Sequence, residues 1–74
     1  MDIITSLRYL DSRFKELRSG KLGEITVLLV SEDLIEKVPS LAMRNGLSLI
    51  DAEEVEGGYV KITVEHRFLN HEED

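Results

Sequence analysis

Apolar positions recur along this chain in two different periods, and each change of period marks an element. Ile3, Leu7, Leu10, Phe14 and Leu17 are spaced alternately by four and three, which lays them on one helical face. Arg8, Asp11, Lys15 and Arg18 fall opposite them. The spacing predicts a first helix over residues 3–19, capped by Asp2 and closed at Gly20 by a left-handed turn. Residues 24–30, EITVLLV, predict a strand, because they are rich in β-branched side chains. Ile25, Val27 and Leu29 point to one side of it and Thr26, Leu28 and Val30 to the other, so both of its faces are apolar. A helical stripe returns at Leu34, Val38, Leu41 and Ala42 and predicts a second helix over residues 33–45. Asp33 and Glu36 match a capping box at its start, and Asn45-Gly46 ends it. Pro39 stands inside the stripe and is expected to kink the helix or restart it. Two strands follow, over residues 47–55 and 59–68, joined by Glu56-Gly57-Gly58 as a hairpin connection. In the last one Val60, Ile62, Val64, His66 and Phe68 alternate with polar neighbours, the mark of a strand with one buried face. Residues 70–74 read as a polar tail.

The predicted order is α-β-α-β-β, which implies an α+β fold: a two-layer α/β sandwich with two helices on one face of a small mixed sheet. At 74 residues the chain holds a single domain, 1–74. A domain of this size buries only about 60% of the surface its unfolded chain exposes. A deep cofactor pocket would therefore consume core it can hardly spare, and no cofactor is expected. Charge sharpens the picture. The net charge is −6, and the deficit is late: residues 1–20 carry four basic and three acidic side chains, whereas residues 21–74 carry five and twelve. An acidic chain disfavours phosphate backbones and anionic membranes as partners. There are no cysteines, which excludes disulfides, thiolate metal sites and thiol nucleophiles. With no membrane-length apolar run and no signal-peptide pattern, a cytoplasmic protein is expected.

The residues FKELRSG (14–20), ITVLLV (25–30), SED (31–33), VPSLA (38–42) and GLSLI (46–50), with the strand GYVKITV (58–64), resemble the TusA/SirA-like sulfur-carrier family in order and spacing. The resemblance covers nearly the whole chain. It implies a sheet similar to that of the C-terminal domain of the third initiation factor. Family carriers begin their first helix with a C-P-x-P motif whose cysteine carries a persulfide. Counting back from Gly20, that motif falls on Ile3, Ile4, Thr5 and Ser6, and no nucleophilic sulfur stands there. The resemblance further implies that the family's first strand is missing here. That strand lies at the sheet edge beside residues 24–30, so Ile25, Thr26, Val27, Leu28, Leu29 and Val30 are expected to form an unpaired docking edge. The expected occupant is a twofold-related copy of the same strand, or a partner protein that supplies the missing one.

Other candidate chemistry is thinner. His66, on the core face of the last strand, could serve as a general base with the hairpin carboxylates Asp51, Glu53, Glu54 and Glu56, which defines a small acid–base enzyme as one alternative. The basic side of the first helix, Arg8, Arg13, Lys15 and Arg18, with the initiation-factor likeness, defines a nucleic-acid-binding module as another. His71 lies among Glu72, Glu73 and Asp74, a weak metal set on a polar tail, and no metal site is expected. The reading that absorbs most of the sequence is a non-catalytic protein-interaction module related to sulfur carriers, with a scaffolding or regulatory role in sulfur transfer.

Overall fold

The computed structural model describes residues 2–67, which form an α+β sandwich of two layers. Its elements are β1 (Ile3–Ile4), α1 (Leu7–Leu17), β2 (Ile25–Ser31), a 3-10 segment (Glu32–Lys37), α2 (Val38–Arg44), β3 (Leu47–Val55) and β4 (Tyr59–His66). The four strands stand in the order β1-β2-β4-β3. β1 runs parallel to β2, and β4 is antiparallel to both of its neighbours. The helices cover one face of this mixed sheet. Phe14, Leu10, Ile4, Ile62, Val30 and Val38 form the centre of the core, each excluded from water. Phe68, His71 and the tail 70–74 lie outside the described residues.

The chain start corrects the sequence expectation in two ways. Residues 3 and 4 are not helical, and the sheet has four strands, not three. Ile3 lies abreast of Leu29 and Ile4 abreast of Val30. Ser6 decides where the helix begins: its backbone is extended, at φ −135° and ψ 149°, and its Oγ accepts the Tyr9 N–H at 3.2 Å. That cap satisfies one of the orphan donors of the first turn. Asp2 is therefore not the cap, and the four-residue step from Ile3 to Leu7 joins a strand to a helix. At the other end α1 closes on Arg18 in right-handed geometry, and the positive φ expected at Gly20 falls instead on Gly23 (87°). At Gly20 an added Cβ would displace the end of the Glu24 side chain, which reaches back to accept the Lys21 N–H at 3.0 Å.

The second helical segment restarts at the proline, one of the two outcomes expected of Pro39. Glu32–Lys37 is a 3-10 turn preceded by Ser31, whose hydroxyl donates to the Asp33 carboxylate. An α-helix begins at Val38 with Pro39 in its first turn, where the missing N–H has no intrahelical partner to lose. Asp33 lies inside the 3-10 turn, so the capping box does not open a helix there. Gly46 then takes φ 76° to turn the chain into β3.

The hairpin forms as expected, with Gly57 and Gly58 both at positive φ between Val55 and Tyr59. β3 contains a bulge that the alternation did not announce: Leu49 pairs with Val64, yet Asp51 pairs with Thr63, so Ile50 is the extra residue. The bulge changes which parity faces the helices. Leu47 and Leu49 lie on the helix side before it, while Asp51 and Glu53 turn to the open face after it.

Candidate functional site: the uncovered part of β2 and the open sheet face

β2 is the element on which the candidate site rests. Leu28 and Val30 are buried under the helices, and Thr26 is half-buried beside them. Ile25, Val27 and Leu29 point to the open face, with Ile25 54% and Val27 39% exposed. Every residue from Ile25 to Ser31 pairs with β4 on one side. On the other side β1 pairs with Leu29 and Val30 alone. The edge expected to be wholly unpaired over residues 25–30 is thus closed at its Leu29–Val30 end. Ile25, Thr26, Val27 and Leu28 have no strand neighbour on that side among the described residues. Extending the β1 register places Asp2 abreast of Leu28, so the chain start also borders the opening.

The open face is graded in chemistry. Its β1–β2 side carries Ile3, Leu29, Val27 and Ile25. Its middle, on β4, carries Tyr59, Lys61, Thr63 and Glu65. Its far side, on β3, carries Val55, Glu53 and Asp51, with Glu53 paired to Lys61 at 3.3 Å. The apolar stripe is therefore continuous with the uncovered edge, and the acidic stripe is not. Burying the exposed halves of Ile25 and Val27 is worth about 1–2 kcal/mol per side chain.

The residues aligned with the carrier motif have structural work. Ile4 is in the core and Ile3 on the open face of β1. Thr5 is exposed, and the Ser6 Oγ is engaged by the Tyr9 N–H. Among the described residues neither hydroxyl, of Thr5 or of Ser6, is hydrogen-bonded to a histidine or a carboxylate.

His66 and the hairpin carboxylates are not brought together. His66 is only 2% exposed and pairs with Leu47, whereas Asp51 and Glu53 pair with Thr63 and Lys61 farther along β4 and face the opposite side of the sheet. Its Nε2 lies 2.8 Å from the Arg18 carbonyl oxygen. A carbonyl only accepts, so Nε2 is the donor here, while Nδ1 is buried without a partner among the described residues. The ring ties the end of α1 to the end of β4. Backbone bonds reinforce this corner: the Gly23 N–H donates to the His66 carbonyl at 2.7 Å and the His66 N–H to the Glu24 carbonyl at 2.9 Å.

The basic side of the first helix also divides. Lys15 is paired with Asp11 at 2.7 Å and Arg13 with Glu16 at 3.2 Å, both within α1. Asp11 accepts in addition from the Asn45 side-chain amide at 3.2 Å, and that amide donates to the Leu41 carbonyl at 2.9 Å. These two hydrogen bonds, from Lys15 first and then Asn45, hold the Asp11 carboxyl below its ordinary value, and the nearby Arg44 charge adds to the effect. The result is a polar latch between α1 and the end of α2, which sequence reasoning missed because its partners are 34 residues apart. Among the described residues no three histidine or carboxylate side chains gather as a metal site, and no helix is long and apolar enough to cross a membrane. No family model matches the chain, and no curated protein matches it.

Proposed function

We propose that this protein is a non-catalytic interaction module that assembles by pairing β2 with the β2 of a second copy. The observation that carries this reading is the run Ile25–Leu28, a stretch of central-strand composition with no strand neighbour on one side among the described residues. Such a stretch leaves backbone donors and acceptors free beside exposed apolar side chains, and another strand satisfies both at once. A twofold axis beside Thr26, which sets Ile25 of one copy opposite Val27 of the other, makes the contact self-complementary and joins the two sheets into one. It also brings the Ile25 and Val27 side chains of the two copies together on the open face. The edge strand beside β2, which the carrier-family resemblance implied to be missing, is present but only two residues long, and it leaves the rest of that edge to a partner strand. The role is then that of a scaffold or regulator around sulfur transfer in the cytoplasm, acting through binding, since the motif positions Ile3, Ile4, Thr5 and Ser6 offer no sulfur.

Molar mass in solution tests the reading. Light scattering on a sizing column is expected to return twice 8.4 kDa for the natural sequence and the monomer mass for Val27→Lys. A natural chain that stays monomeric throughout the accessible concentration range would overturn the self-pairing.

A further inference from the structure

On the helix side of the molecule, away from the open sheet face, a groove of about 310 Å³ runs between α1 and α2. Leu7, Arg8 and Asp11 line it from α1, and Lys37, Ser40, Leu41 and Arg44 from the second helical segment. No strand residue contributes. In a chain of net charge −6, three cations meet at this one place. Among the described residues Arg8, Lys37 and Arg44 make no ion pair within 4.0 Å, although acidic side chains outnumber basic ones by 15 to 9. The one carboxylate in the lining, Asp11, is already held by Lys15 and Asn45. The groove therefore keeps an excess of positive charge over an apolar floor of Leu7 and Leu41.

We propose that this groove is a binding site for a small organic phosphate monoester. Two guanidinium forks and an ammonium can each direct N–H donors at a tetrahedral dianion, and guanidinium suits such oxygens in a bidentate manner. The Ser40 hydroxyl at the rim donates to the Lys37 carbonyl at 3.4 Å and is not counted among the donors, and Leu7 and Leu41 offer a surface for the apolar part of the ester. The volume is at the small end of ligand sites, which favours a compact ester over a dinucleotide. The site is independent of the β2 pairing, since it lies on the other layer and shares no residue with that edge.

Phenyl phosphate is the probe, followed by amide chemical shifts of the full chain near neutral pH, where the ester is mainly a dianion. The expected result is saturable binding at about millimolar concentration or tighter, with the shifts centred on Leu7, Arg8, Lys37, Ser40 and Arg44. Arg44→Gln and Lys37→Gln, both of exposed side chains, are each expected to weaken binding about three- to tenfold. Lys21→Gln removes an equal charge outside the groove and is expected to leave the affinity unchanged. Benzoate, with the same ring and a single charge, is expected to bind markedly more weakly. Equal weakening by Lys21→Gln would overturn the proposal by reducing the effect to overall charge. Equal binding of benzoate, shifts centred elsewhere, or no saturation by about 10 mM, weaker than a specific small-ligand site requires, would each overturn it as well.

Discussion

His66 and Asp11 show how a single side chain can be read as chemistry in the sequence and as architecture in the fold. A histidine on the core face of a strand invites comparison with a general base. Here its Nε2–H is committed to the Arg18 carbonyl at 2.8 Å and the ring is sealed from solvent. Truncation would remove that bond, leave the carbonyl unpaired and open a cavity where α1 meets β4. His66→Ala is expected to cost about 2–4 kcal/mol, read from urea unfolding. That is a large share of the roughly 4–11 kcal/mol that a chain of this length holds. A change below about 0.5 kcal/mol, the range of ordinary surface substitutions, would show that the corner is held by its backbone bonds alone. Asp11 gives the pH dependence. Its folded pKa lies below the ordinary 3.8, so the folded state favours the ionised form. The stability it contributes is fully present above that ordinary value and is lost as the pH falls through the folded value. Asp11→Asn should therefore lower the urea midpoint near neutral pH, and the gap from the natural sequence should narrow steadily on acidification below about pH 4. A gap that stays constant with pH would mean that the latch to Asn45 acts through shape and not through charge.

At the scale of elements, the sequence was most legible where local pattern and tertiary demand agree. β2, β3 and the glycine hairpin stand within about a residue of where period two places them, and Pro39 restarts a helix as its chemistry requires. Gly57 has φ 93°, and a Cβ there would lie 3.0 Å from the Tyr59 ring, so Gly57→Ala is expected to cost about 1–2 kcal/mol in the same unfolding assay. β1 was not legible, for a physical reason. Two residues carry no period, and the Ile3 side chain fits a helical stripe as well as a strand. What makes it a strand is a partner distant in the chain, Leu29. The only local sign was Ser6, a cap residue as good as Asp2 and better than Thr5. Ser6→Ala is expected to cost about 1 kcal/mol, whereas Asp2→Ala should change little; the reverse order would restore the longer helix. The groove was illegible on the same ground. Arg8 reads as one of four cations on a helix side, and only the fold separates it from Arg13 and Lys15, which are paired within α1, and sets it beside Lys37 and Arg44.

For the molecule as a whole, the decisive fact is that helices cover only one face of the sheet. The other face runs from apolar at Ile3, Val27 and Ile25 to acidic at Glu53 and Asp51. A uniform polar face would be complete in water, whereas this one is unfinished on the side where β2, among the described residues, also lacks a full neighbour. Pairing through β2 unites the apolar parts of two copies and leaves the acidic parts far apart, which keeps like charges from opposing the contact. Such pairing would also make folding depend on concentration, because the shared sheet would then contribute to the stability of a domain this small. For a chain that unfolds directly from a dimer, each tenfold rise in protein concentration adds about 1.4 kcal/mol to the apparent stability. The urea midpoint of the natural sequence is therefore expected to climb with concentration, and that of Val27→Lys to stay flat. Val27 is already 39% exposed in the single chain, so the lysine has room to reach solvent and should not unfold the monomer itself. Coincident, concentration-independent midpoints for both chains would show that β1 and the chain start close the edge well enough for one copy to stand alone.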